Sequence, residues 1–78
     1  MKITLKFLGM DSWDRPVYED ETGTLWKDVN PCRQSEPELR AAYGNNFDGE
    51  PDVLMSGMKR YADAEAQFLP ERIVWTWG

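Results

Sequence analysis

The chain contains no histidine, so the side chain that most often moves protons near neutral pH is missing. It has a single cysteine, Cys32, which excludes an internal disulfide. Secreted domains this small normally rely on such bridges, and the lack of a pair points to a reducing, cytoplasmic setting. No apolar run approaches the roughly 18 residues of a membrane span. The opening run Met1-Lys2-Ile3-Thr4-Leu5-Lys6-Phe7-Leu8 is broken by Lys6 and is too short and polar for the apolar segment of a signal peptide. Basic charge is also scarce: 9 Lys and Arg stand against 14 Asp and Glu, a net charge of −5. Phosphate backbones and anionic lipid surfaces are recognised by basic surfaces, so neither nucleic acid nor membrane is expected as a direct partner. The plainest consequence of the acidity is solubility.

What the chain does have is aromatic bulk. Four Trp, three Tyr and three Phe lie among 78 residues, and 41% of the sequence is apolar. Each aromatic buries roughly 150–250 Å², so a short chain can build a core from few residues. A single domain spanning residues 1–78 is expected, near the lower size limit for folding without staples.

Ile3, Leu5 and Phe7 alternate with Thr4 and Lys6, the period of a half-buried strand. Residues 15–20 read as a second strand with Pro16 near its start. Glu21-Thr22-Gly23 reads as a turn and residues 24–29 as the return strand of a hairpin. Ser35-Glu36-Pro37-Glu38 has the pattern of a capping box, with Leu39, Ala42 and Tyr43 on one helical face and Gly44 as the stop. A helix of about two turns is therefore expected there, held by packing onto the sheet. Asn45–Asp52 reads as an ordered loop anchored by Phe47. Residues 53–62 are ambiguous between helix and irregular chain, because Gly57 weakens a helical face of Leu54, Met58 and Tyr61. Ala64, Ala66 and Phe68 alternate as a strand, and residues 72–77 read as a final one. The expected class is α+β: an antiparallel or mixed sheet of four to five strands, with one short helix, or two, on one face.

Catalytic residues are not evident. Cys32, Ser12, Ser35 and Ser56 lack a glycine elbow or a neighbouring base, and no enzymatic activity is expected. Asp48, Glu50 and Asp52 are spaced so that oxygens could wrap a calcium ion. The twelfth position of an EF-hand loop would then be Gly57 or Lys59, neither of them acidic, so the match fails. Zinc is disfavoured by one cysteine and no histidine. No metal or cofactor is expected.

The functional candidates are aromatic and acidic. One short helix cannot cover both faces of a sheet. An open face carrying Tyr18, Trp26 or Trp77, with Trp13 in a nearby loop, would form a protein-binding patch, joined by the Asp48–Asp52 loop. Against this stands the plain alternative that most aromatics fill the core, favoured for Trp75. Asp14, Glu19, Asp20, Glu21 and Asp28 cluster around the hairpin. They either solvate an edge or meet a basic partner, such as a nucleic-acid-binding protein that the chain would inhibit. Self-pairing into a homodimer is a further option.

The runs Asp14-Arg15-Pro16-Val17-Tyr18-Glu19-Asp20 and Gly23-Thr24-Leu25-Trp26-Lys27-Asp28, with Phe47–Asp52 and Pro70–Trp75, resemble a family of small domains from gut Firmicutes. These are similar to accessory domains attached to large polyvalent proteins of conjugative elements and phages. The resemblance covers residues 5–75. It implies an accessory protein-interaction role alongside mobile DNA, and it carries no catalytic residue.

Overall fold

A computed structural model describes residues 1–75. Six strands form one mixed sheet: β1 (Lys2–Met10), β2 (Pro16–Glu19), β3 (Leu25–Asp28), β4 (Leu39–Ala42), β5 (Pro51–Leu54) and β6 (Glu65–Leu69). Their spatial order is β5-β4-β3-β2-β1-β6. Every neighbouring pair is antiparallel except β1 and β6, which run parallel.

The period-two pattern of β1 sets the inner face. Ile3 and Leu5 are buried on it, Phe7 stands opposite Tyr18, Tyr18 opposite Trp26, and Trp26 opposite Ala41. Phe68 joins from β6, opposite Leu5. Directly paired residues share a face, so one continuous aromatic row crosses the sheet. The rings meet edge to face, with centroids 5.8 Å apart for Phe7 and Tyr18, and 4.9 Å for Tyr18 and Phe68. Trp26 meets Tyr61 at 5.0 Å. Such pairs add about 0.5–1.5 kcal/mol each beyond the area they bury.

The hairpin of β2 and β3 forms around Asp20, whose N–H donates to the Thr24 carbonyl, with Gly23 at φ 86°. That left-handed conformation has no Cβ penalty in glycine.

The expected α+β class is overturned. Among the described residues there is no α-helix, only 3-10 turns at Tyr43–Asn45, Met55–Gly57 and Lys59–Tyr61, and the sheet has six strands. The segment read as a helix holds β4 instead. A two-turn helix has only its own few hydrogen bonds, whereas β4 forms ladders with β3 on one side and β5 on the other. The capping box does not close either: the Glu38 N–H donates to the Asp28 carboxylate. No helix among the described residues is long and apolar enough to cross a membrane.

Two irregular segments cover the inner face. One is the 55–64 crossing, with Met55 and Tyr61 buried in the core. The other is a strap, residues 70–75, where a final strand was expected. Its Ile73 N–H donates to the Tyr18 hydroxyl at 2.9 Å, and its Trp75 N–H to the Pro31 carbonyl at 2.9 Å. Residues 76–78, and so Trp77, lie outside the described residues.

Candidate interaction surface

Three buried aspartates, Asp11, Asp20 and Asp28, hold the loops that shape the surface. The Asp20 carboxylate accepts from Thr22 N–H at 2.8 Å, Thr22 Oγ1 at 2.7 Å and Thr24 N–H at 3.0 Å. Its second oxygen accepts from Trp26 Nε1 at 3.0 Å and Tyr61 Oη at 3.2 Å. Burial raises the affinity of this group for its proton, but the donors outweigh burial and lower its pKa. One carboxylate thus ties the hairpin turn to the core tryptophan and to the crossing.

Asp11 acts likewise at the end of β1. It accepts from the Trp13 and Arg15 N–H groups at 2.9 Å each, from Arg15 Nε at 2.8 Å and from Lys27 Nζ at 2.7 Å. The cost of burial is overcome by the Lys27 ammonium, the Arg15 donors and the Trp13 N–H, which hold the carboxyl at about 2. Lys27 is fully buried, and its Nζ meets the Asp11 carboxylate at 2.7 Å.

Asp28 receives N–H bonds from Asn30 at 3.0 Å and Glu38 at 3.2 Å, while its other oxygen lies 3.5 Å from Arg72 Nε. Burial dominates here and pushes the carboxyl up, despite the two N–H donors and the nearby guanidinium. Arg72 also donates to the Ser35 and Asn30 carbonyls, which anchors the strap.

Between the crossing and the strap lies an open groove of about 500 Å³. Leu39, Met55, Tyr61, Ala66 and Phe68 supply apolar lining. The charged lining residues are Glu36, Glu65 and Arg72. The cation is already engaged by Asp28 and two carbonyls, so the exposed charges of the rim are the two glutamates.

The groove ends against β6, one of the two sheet edges. The other edge, β5, carries Pro51, which has no N–H, and the charged Asp52, and its register with β4 shifts between Arg40 and Ala42. These are devices that prevent further strand pairing. β6 carries a charge at its first residue, Glu65, and is followed by Pro70, but the run between them, Ala66-Gln67-Phe68-Leu69, contains neither charge, proline nor glycine.

The sequence candidates fall in different places. Tyr18 and Trp26 are 0% exposed, in the middle of the core, and present no surface to a partner. Trp13 is 70% exposed, with the Arg15 guanidinium 6.0 Å from its ring centroid. Asp48, Glu50 and Asp52 are exposed. Asp48 accepts from the Ser12 N–H at 3.3 Å, and Phe47 packs its ring against Gly9. Trp13 and this loop are therefore neighbours through Ser12, while Trp77 lies outside the described residues. The groove was missed because its walls come from β4, the crossing, β6 and the strap, which only the fold assembles. The run of uncharged residues at 66–69 was the one signal legible in the sequence.

No family model matches the chain, and neither a curated protein nor a solved structure is similar to it at a significant level.

Proposed function

We propose that this chain is a protein-interaction module whose binding site is the groove together with the β6 edge. The observation that carries this reading is the contrast between the two sheet edges: β5 is blunted, and β6, beside an apolar groove, has a central uncharged run with which no described strand pairs on its outer side. Binding, not catalysis, is the activity proposed for a chain with no histidine. A cytoplasmic setting, argued from the single cysteine, and an accessory role beside mobile DNA, as the family resemblance implies, belong to the same proposal. The acidic-inhibitor reading is weakened by the burial of Asp20 and Asp28, which removes two of the five hairpin acids from the surface.

The test uses Ala62, an exposed residue on the groove lining. Ala62→Trp fills the groove from outside and leaves the core untouched. The tagged chain and this variant are used to capture proteins from host lysate at low and high salt. A protein retained by the native chain at both salts and lost from the variant supports the module. Equal retention by both refutes it.

A further inference from the structure

The exposed backbone of β6 has a defined pattern. The Glu65 N–H donates to the Met1 carbonyl, and the parallel register pairs Lys2 with Glu65 and runs on to Lys6 with Leu69. In a parallel ladder the residues that bond inward alternate along the strand. Glu65, Gln67 and Leu69 therefore turn their N–H and carbonyl groups towards β1. Ala66 and Phe68 turn theirs outward, to the side on which no described strand pairs. The side chains of the same two residues line the groove. An incoming strand would thus find two pairs of backbone bonds and an apolar trough on one line.

Charge selects the occupant. Residues 63–71 carry Asp63, Glu65 and Glu71 and no basic residue, and Glu36 faces the groove from the opposite loop. The cations around the run are Lys2 and Lys6 across the ladder on β1, and Arg60 and Arg72 beyond its ends, the last already engaged by Asp28. A second copy of this chain fits poorly. Antiparallel pairing of two β6 strands about Gln67 would bring Ala66 opposite Phe68, but would set Asp63 of one copy against Glu71 of the other, and would join two chains of net charge −5. Like charges placed opposite one another destabilise a strand pair.

Resting on the module reading above, we propose that the partner supplies an extended, basic segment that adds to β6 as a seventh, antiparallel strand. Its apolar side chains stand opposite Ala66 and Phe68 and enter the groove beside Met55 and Tyr61. Its Lys or Arg side chains stand opposite Glu65 and reach Asp63 and Glu71 at the ends. Backbone bonds to β6 provide the affinity, and the alternation of apolar and basic residues provides the selectivity.

The probe is a synthetic peptide of alternating valine and lysine, compared with one of alternating valine and glutamate. Binding is followed by NMR, with amide exchange read at Ala66 and Phe68. The expected result is saturable binding of the lysine peptide, slowed exchange at these two amides, and little binding of the glutamate peptide. Ala66→Pro removes an outward N–H without touching a bond to β1, and proline is tolerated on an edge. It should weaken the lysine peptide about tenfold or more. Should that variant fold poorly, Gln67→Lys places a repelling charge on the edge and serves instead. Equal binding of both peptides, or binding without protection of Ala66 and Phe68, overturns the proposal. So does protection that grows with protein concentration in the absence of peptide, which would assign the edge to a second copy. Failure here with a captured protein still lost from Ala62→Trp refutes strand addition and leaves the module standing. Unchanged capture by Ala62→Trp refutes the module itself.

Discussion

Replacing Asp20 with asparagine separates the two halves of its hydrogen-bond set. An asparagine Oδ1 can still accept from Thr22 N–H, Thr22 Oγ1 and Thr24 N–H. The Nδ2 that takes the place of the second oxygen cannot accept from Trp26 Nε1, which donates to it over 3.0 Å in a fully buried setting. The Tyr61 hydroxyl can turn round and accept, but the indole N–H is fixed. Orphaning a buried donor costs about 1–3 kcal/mol, and the remaining bonds lose their charge assistance. Asp20→Asn should therefore destabilise the fold by about 3 kcal/mol. At roughly 0.05–0.15 kcal/mol per residue the whole domain has about 4–12 kcal/mol, so the loss is large. Urea unfolding followed by far-ultraviolet circular dichroism measures it. A double-mutant cycle with Trp26→Phe isolates the indole bond and should give a coupling of about 2 kcal/mol. Acid supplies a further check. The folded pKa of Asp20 is lowered, so its contribution is fully present above about pH 4, the unfolded carboxyl value, and is lost as pH falls. The gap between the native chain and Asp20→Asn should narrow in acid. A coupling under about 0.5 kcal/mol would refute the view that this carboxylate organises the hairpin and the crossing.

Lys27→Met leaves Asp11 with Arg15 and two backbone donors but without its closest cation, and raises its pKa from about 2. Because a depressed pKa stabilises above the unfolded value and its benefit is lost on acidification, the variant should unfold at higher pH than the native chain in an acid titration. Arg72→Met removes the guanidinium beside Asp28 together with its bonds to the Ser35 and Asn30 carbonyls, and should cost about 2 kcal/mol at neutral pH. Asp28 already has a raised pKa, so its protonation favours the fold, and the deficit measured by denaturation should shrink as pH falls. Gly49→Ala would put a methyl carbon 2.3 Å from the Tyr43 carbonyl oxygen, and the turn must shift. A cost of about 2 kcal/mol is expected, with the Ser12 amide losing exchange protection as its Asp48 partner moves.

Local patterns made part of this architecture readable. The alternation in β1, the turn ending in Gly23 and the alternation at residues 64–68 each specify a strand or hairpin from neighbours in sequence. Residues 35–44 misled because their local signals favour a helix, while the stronger claim came from two strands distant in sequence. The acids misled in the same way. Asp20 and Asp28 look like solvated hairpin charges until Tyr61, Glu38 and Arg72 are brought against them.

By itself the sequence determined a small acidic chain, rich in aromatic residues, with a strand at its start, a hairpin after it and a strand around residues 64–68. Periodicity and composition are local properties, and they need no knowledge of what packs where. Tertiary structure alone decided that Tyr18 and Trp26 are core and not surface, that three aspartates are internal, and that β6 is an edge. Exposure and pairing depend on residues far apart in the chain. Backbone groups left over at an edge can be identified only once every other strand has found its partner.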